Sequence, residues 1–199
     1  SYHVGMCRLA INDIYKGGQP LFNAGKNVVV MYNGEIYNSP YLREHLSKLG
    51  YKLRTNSDGE VISHLYDEYG DNLFEYLDGM FAIALWDEKQ KRLLLARDSV
   101  GEKPLYYMSL NNEKGIAFAS EIKALQGLEG VNLDLNHQAI WDFPTFLWIP
   151  EPETIFCKIK AVERSSFIEV NNNGISMRSY KSNFYRINES EMEEKELIE

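Results

Sequence analysis

Two pairs of apolar segments in the middle of the chain constrain its fold more than any other feature. A polar stretch of five residues separates the members of each pair: residues 80–86 from 92–96, and residues 105–110 from 116–120. Short apolar runs that flank a polar turn in this way are typical of β-hairpins. Two consecutive hairpins predict an antiparallel sheet in this half of the chain.

The segment before these hairpins has the pattern of helices instead. Leu42, Leu46 and Leu49 recur at the spacing of one helical face, and Ser39 is a suitable N-cap for this helix. A second apolar helical face follows in residues 61–69. Because helices come early and strands come later, without strict alternation, the sequence predicts an α+β fold with helices packed on antiparallel sheet.

Composition excludes several classes of function. A formal net charge of −8 over 199 residues disfavours a nucleic-acid-binding surface, and no apolar run is long enough to predict a membrane partner. Two cysteines do not make a disulfide framework in a chain of this length, so we expect a cytoplasmic location. The four histidines lack metal-ligand spacing, and we expect no metal site.

The segment 31–38, Met-Tyr-Asn-Gly-Glu-Ile-Tyr-Asn, carries the clearest chemical signal. It follows the apolar run 28–30, so we expect a buried strand that ends in a loop. In that loop, the Asn33 side chain and the Gly34 N–H would form an oxyanion hole, and Glu35 would hold an ammonium group. The alternative is an Asn-Gly hairpin turn, which is the commoner use of that dipeptide, and the segment alone leaves both interpretations open.

Two further charged residues fit the same chemistry. Arg8 lies in an apolar run that predicts a strand, and its planar fork suits a carboxylate, although an arginine facing water is the simpler interpretation. Asp58 could be a second carboxylate near Glu35, or it could cap the next helix together with Ser57. Two carboxylates and one arginine would match the ammonium and carboxylate groups of a free α-amino acid.

Seven segments occur in the same order and at similar spacing in a known family: 8–11 (Arg-Leu-Ala-Ile), 18–21 (Gly-Gln-Pro-Leu), 32–38, 57–62 (Ser-Asp-Gly-Glu-Val-Ile), 78–82 (Asp-Gly-Met-Phe-Ala), 97–107 and 120–125 (Ser-Glu-Ile-Lys-Ala-Leu). Through them the chain resembles the glutaminase half of glutamine-hydrolysing asparagine synthetases, a class II glutamine amidotransferase domain. The resemblance covers roughly residues 1–160. It implies an N-terminal-nucleophile-like αββα sandwich, in which two antiparallel sheets lie between helical layers.

The resemblance also assigns roles to the residues singled out above. Arg8 would bind the α-carboxylate of L-glutamine, and Glu35 and Asp58 would bind its α-ammonium group. Asn33 and the Gly34 N–H would form the oxyanion hole. In a complete enzyme of this kind, a ligase, glutamine hydrolysis supplies ammonia for the ATP-dependent amidation of aspartate or a similar carboxylate.

The chain departs from the family pattern at both ends. The family nucleophile is an N-terminal cysteine, whereas Ser1 corresponds to a point inside the family domain, so we expect an N-terminally truncated domain without the first strand and the nucleophile. The alternative function is therefore a catalytically dead module that binds glutamine or another protein. The sequence also lacks the Ser-Gly-Gly-x-Asp-Ser loop of the family's synthetase domain.

These departures set the expected domains, cofactors and partners. Residues 1–160 are expected to form the amidotransferase-like domain, and residues 161–199 a connector and the start of a synthetase domain. We expect no cofactor in this chain, with ATP and magnesium bound only in the synthetase domain. The expected partners are L-glutamine and that synthetase domain, and the sequence leaves a homodimer open.

Overall fold

The computed structural model describes residues 4–5, 18–110, 115–129 and 131–180. Within these ranges, α-helices are formed by Ser39–Lys48 (α1), Glu60–Tyr69 (α2), Leu73–Tyr76 (α3), Ile122–Gln126 (α4) and His137–Phe146 (α5), and a 3-10 helix, Gly70–Asn72, leads into α3. The strands are Leu21–Phe22 (β1), Val28–Ile36 (β2), Gly79–Asp87 (β3), Arg92–Arg97 (β4), Tyr106–Leu110 (β5), Gly115–Ala119 (β6), Lys160–Ala161 (β7), Ser166–Asn171 (β8) and Gly174–Ser179 (β9).

These strands form two antiparallel sheets. The larger sheet has the strand order β1-β2-β3-β4-β8-β9, and the smaller has the order β6-β5-β7. Both predicted hairpins are confirmed, as β3–β4 and β5–β6. They belong to different sheets, however, because the later strand β8 pairs with β4 and the later strand β7 pairs with β5.

The buried apolar side chains fill three successive layers. The first layer lies between α1–α3 and one face of the larger sheet, and its largest members include Ile36, Leu46, Ile62, Phe74 and Phe81. The second lies between the two sheets and contains Ala82, Leu95, Leu105, Val162 and Ile168. The third lies on the outer side of the smaller sheet, where Met108 packs with Leu125 of α4 and with Ile159.

This order of layers confirms the predicted α+β class and the αββα sandwich. Successive side chains of each strand in the larger sheet point alternately toward the helices and toward the smaller sheet. Both faces of the larger sheet are therefore covered by apolar contacts. No helix in the described ranges is long and apolar enough to cross a membrane.

The start of α1 differs from the predicted cap. Ser39 is the first helical residue, and Asn38 precedes it. The Asn38 side chain binds the segment before β3: its Nδ2 donates to the Tyr76 carbonyl at 2.8 Å, and its Oδ1 accepts from the Asp78 N–H at 3.1 Å. Asn38 therefore joins the end of β2 to the start of β3, which fixes the two strand ends that carry the candidate site.

The larger sheet continues beyond the predicted domain boundary. Strands β8 and β9 form a hairpin, and β8 pairs with β4 from Ser166, opposite Arg97, to Val170, opposite Leu93. The hairpin is confirmed, while the division of the chain at residue 160 stays a prediction. The predicted first strand, residues 6–11, lies outside the described residues.

Candidate functional site

The Asn-Gly-Glu motif belongs to a strand and not to a loop. Strand β2 continues to Ile36, so Asn33, Gly34 and Glu35 pair with Ala82, Phe81 and Met80 of β3. The expected loop after residue 32 is therefore wrong, and so is the alternative of an Asn-Gly hairpin turn. The strand is longer than its apolar run because β3 provides a paired partner for every residue up to Ile36.

A close approach of the two backbones explains the glycine in this motif. Gly34 has φ +149°, and a Cβ at this position would overlap the carbonyl oxygen of Met80. Gly79, on the opposite strand, has φ +154°, and a Cβ there would overlap the carbonyl oxygen of Glu35. Side chains other than hydrogen do not fit at either position, so β2 and β3 meet backbone to backbone at the motif.

The two polar side chains of the motif lie on the face of β2 that points away from α1–α3. Tyr32 and Ile36 are buried against those helices, and residues between them alternate to the opposite face. Asn33 is exposed and Glu35 is partly exposed. Both are therefore available to a small molecule that approaches the end of the larger sheet.

Asp58 is buried, and its carboxylate is hydrogen-bonded to the residues on both sides of the motif. Its Oδ1 accepts a hydrogen bond from the Tyr32 hydroxyl at 2.6 Å, and its Oδ2 accepts one from the Ile36 N–H at 2.8 Å. Helix α2 begins at Glu60 behind Gly59, with no capping bond from a side chain. The capping alternative for Asp58 is thus wrong, and the fold brings this carboxylate to the strand that carries Asn33–Glu35.

Three residues, Gln19, Asp58 and Gly59, fix the position of Tyr32. The side chain of Gln19 mimics a neighbouring strand, because it donates to the Tyr32 carbonyl at 2.9 Å and accepts from the Tyr32 N–H at 2.8 Å. A Cβ on Gly59 would overlap the Tyr32 ring. Burial and the neighbouring Asp58 carboxylate raise the pKa of Tyr32, so its hydroxyl stays protonated and donates to Asp58.

The segment that carries Asp58 has its own support, which was not predicted from the sequence. The buried Glu60 carboxylate accepts from the backbone N–H groups of Arg54 and Thr55, at 2.6 and 2.8 Å. Arg43 of α1 donates to the carbonyls of Thr55 and Ser57. The Ser57-x-x-Glu60 spacing is a capping-box signal that could have identified Glu60, although its carboxylate binds residues 54 and 55 instead.

A third buried carboxylate, that of Asp98, supports strand β3. Asp98 is fully buried, and it accepts hydrogen bonds from the backbone N–H of Phe81, the partner of Gly34, and from those of Val100, Glu102 and Lys103. The adjacent Arg97 donates to nearby carbonyls and to the Glu151 carboxylate at 2.7 Å.

Most of the chain matches one family in sequence. The family model for the glutamine amidotransferase domain covers residues 1–181. The chain belongs to this family. The matched residues include strands β8 and β9 as well as the site on β2.

Relatives of this amidotransferase domain are asparagine synthetases. It is 37% identical over 182 residues to asparagine synthetase [glutamine-hydrolyzing] 1 of Bacillus subtilis, which covers 90% of this chain and 28% of that protein. It is 49% identical over 118 residues to asparagine synthetase [glutamine-hydrolyzing] 2 of Arabidopsis thaliana, covering 59% of this chain and 20% of that protein. The chain thus spans between a fifth and about a quarter of these relatives.

Solved structures share its fold. The allosteric regulatory enzyme of purine biosynthesis superposes with a TM-score of 0.60 at 22% identity, over 85% of this chain and 32% of that one. The glutamine phosphoribosylpyrophosphate amidotransferase from B. subtilis gives a TM-score of 0.59 at 21% identity, over 85% and 33% of the two chains. The amidotransferase domain therefore has the predicted N-terminal-nucleophile fold.

In this amidotransferase domain, the fold brings four of the five predicted site residues together. Asn33, Gly34 and Glu35 are consecutive on β2, and Asp58 is hydrogen-bonded to the residues that flank them. Arg8, the fifth, lies outside the described residues. The buried residues that position this group are Tyr32, Glu60 and Asp98, and none of them was a predicted site residue.

Proposed function

We propose that this amidotransferase domain binds L-glutamine at the end of β2. Glu35 and Asp58 bind the α-ammonium group, and Arg8 binds the α-carboxylate. The Asn33 side chain and the Gly34 N–H face the side-chain amide of glutamine, where an oxyanion develops during hydrolysis. The observation that carries this proposal is that two hydrogen bonds hold the buried Asp58 carboxylate at the residues on either side of the Asn-Gly-Glu motif.

The two carboxylates of the proposed site, Glu35 and Asp58, favour a cationic ligand. An ionised carboxylate offers about four acceptor positions, and the Tyr32 and Ile36 bonds occupy two of those on Asp58. The positions that remain, together with those of the partly exposed Glu35, suit an ammonium group that carries three N–H donors.

In a complete enzyme, we propose that the bound glutamine is hydrolysed and that the ammonia serves the ATP-dependent amidation of aspartate or a similar carboxylate. The likeness to asparagine synthetases supports this assignment. The reaction requires a nucleophile beside Asn33 and Gly34. Cys157, the described cysteine, is exposed and donates to the Leu135 carbonyl at 3.4 Å, on the outer side of the smaller sheet.

Binding without hydrolysis is the second candidate function, and one experiment separates the two. L-Glutamine is titrated into the purified chain by calorimetry, and ammonia release is followed in parallel. We expect binding of glutamine and much weaker binding of glutaramate, which is glutamine without its α-amino group. Ammonia release assigns the domain as a glutaminase, and binding without release assigns it as a binding module. Equal affinity for both compounds, or no binding, contradicts the proposed site.

Replacing Tyr32 by Phe is expected to weaken glutamine binding by roughly 10-fold, which is the lower end of the effect of losing one hydrogen bond to a charged group. The ring still packs on Gly59, but the Asp58 carboxylate loses one of its two anchors. The matched control is Tyr66→Phe, which removes a similar buried bond from a tyrosine hydroxyl to Asp87, at 2.8 Å. Calorimetry should show weaker binding only in Tyr32→Phe, and equal affinity in both variants would contradict this role of Tyr32.

A further inference from the structure

The chain contains two Asn-Gly dipeptides, and their structural surroundings differ. One is Asn33-Gly34, in the proposed glutamine site, and the other is Asn173-Gly174, at the start of β9. In such a dipeptide, the backbone nitrogen of the glycine can attack the side-chain carbonyl carbon of the asparagine, because glycine has no side chain that hinders the approach. The reaction releases the side-chain amide as ammonia. The surroundings of each dipeptide therefore decide whether its asparagine is chemically stable.

Asn173-Gly174 lies in an open turn. Asn171 pairs with Gly174, so Asn172 and Asn173 form a two-residue turn between β8 and β9. Asn173 is exposed, and a Cβ on Gly174 would meet no atom within 4 Å. The backbone N–H of Asn173 donates to the Asn171 Oδ1 at 2.7 Å, but its side chain makes no hydrogen bond within the described residues. The Asn173 side chain can therefore turn toward the Gly174 nitrogen without displacing another group.

The position of Gly174 in the strand ladder also favours the reaction. The pairing of β8 with β9 begins at Ser166, opposite Ser179, and ends at Asn171, opposite Gly174. The last pair of a ladder beside a surface turn opens at a much lower free-energy cost than its interior pairs. Opening of this pair frees the Gly174 nitrogen and leaves the pairing of residues 166–170 with β4 in place.

Asn33-Gly34 lies within a paired strand instead. Gly34 is opposite Phe81, whose backbone N–H donates to the buried Asp98 carboxylate at 3.2 Å. A Cβ on Gly34 would overlap the Met80 carbonyl oxygen, so the backbone of β3 lies directly against this dipeptide. Ring closure turns the peptide between Asn33 and Gly34 out of its extended conformation, which requires β2 to separate from β3. Asn33 is therefore protected, although its side chain is exposed.

We propose that Asn173 is a site of spontaneous deamidation and that the pairing of β2 with β3 protects Asn33 from the same reaction. The Gly174 nitrogen forms a bond to Cγ of Asn173, and the bond from Cγ to the side-chain nitrogen breaks. The proton of the Gly174 nitrogen leaves with the amide as ammonia, and a cyclic imide remains. Water then opens the imide at either carbonyl and gives aspartate or isoaspartate. This proposal does not depend on glutamine binding.

The modified turn lies at the end of the larger sheet that is remote from the proposed glutamine site. Val170, next to the turn, is opposite Leu93, which is opposite Trp86 of β3. The motif Asn33–Glu35 pairs with the other end of β3, at residues 80–82. Deamidation of Asn173 adds a negative charge to the turn and leaves the site intact. It also releases ammonia in the absence of glutamine, in an amount that does not exceed the amount of protein.

Peptide mapping by mass spectrometry tests the proposal on the purified chain, incubated in mildly alkaline buffer with and without urea. In the folded chain, we expect conversion of Asn173 and an at least ~100-fold slower conversion of Asn33, the suppression given by an opening free energy of ~2.7 kcal/mol. In urea, the protection by β3 is lost, and the two residues should convert at similar rates. The comparison therefore separates the effect of structure from that of the dipeptide itself.

Asn173→Gln is the matched variant, because its longer side chain disfavours ring closure and keeps the amide in the exposed turn. It should remove the modification of the turn and most of the ammonia that the wild type releases without glutamine, and it should leave the slow conversion of Asn33 unchanged. Equal rates at Asn33 and Asn173 in the folded wild type overturn the proposal. So does conversion of Asn173 that occurs only in urea, or an Asn173→Gln variant that releases ammonia like the wild type.

Discussion

Replacing Asp58 by Asn is expected to lower the affinity for L-glutamine by about 100-fold, equivalent to ~2.7 kcal/mol. The amide has nearly the same size as the carboxylate, and its oxygen can still accept from the Ile36 N–H while its NH₂ group turns to the Tyr32 oxygen. The fold therefore survives, but the negative charge that attracts the α-ammonium group is lost. Calorimetry with L-glutamine measures the effect.

Asp87→Asn is the matched control for this variant. Asp87 is also a buried carboxylate that accepts from a tyrosine hydroxyl, Tyr66, but it lies opposite Val28, at the far end of β2 from the motif. Its replacement should lower the free energy of unfolding and leave glutamine affinity unchanged. Asp58→Asn should also leave the weak binding of glutaramate unchanged. Wild-type glutamine affinity in Asp58→Asn would exclude this carboxylate from the ligands of the α-ammonium group.

Replacing Gly34 by Ala is expected to lower the free energy of unfolding by about 4 kcal/mol, a loss that can prevent folding. The new Cβ would overlap the Met80 carbonyl oxygen, and φ +149° is strained for any residue with a side chain. Relief of this overlap requires β2 and β3 to separate, which breaks their pairing around the site. Urea unfolding, followed by circular dichroism, measures the loss.

Gly174→Ala separates the two causes of that loss. Gly174 also has a positive φ, +122°, but a Cβ at this position meets no atom within 4 Å. It should cost only about 1 kcal/mol, the conformational part of the effect. Losses of equal size in the two variants would contradict the close approach of β2 and β3 at the motif.

The hairpins and helices were predictable because their signals are local. The turn between β3 and β4 shows this well: the Asp87 side chain accepts from the N–H groups of Lys89 and Gln90, within the turn itself. The division of the two hairpins between two sheets was not predictable. It depends on β7 and β8, which come from much later in the chain and pair with β5 and β4.

The residue types of the site were predictable, but their arrangement was not. The Asn33-Gly34 dipeptide looks like a turn in isolation, and only the opposing Gly79 on β3 allows it to lie within a paired strand. Similarly, Asp58 looks like a helix cap, since its partners Tyr32 and Ile36 lie 26 and 22 residues earlier. Long-range contacts decided both cases, and local propensity could not show them.

A crystal structure of this domain with L-glutamine bound tests the central claim most directly. The account predicts the α-ammonium nitrogen within about 3 Å of carboxylate oxygens of Glu35 and Asp58, with the side-chain carbonyl directed at Asn33 and Gly34. Glutamine bound in the reverse orientation, or at a place that does not include Asp58, would contradict it.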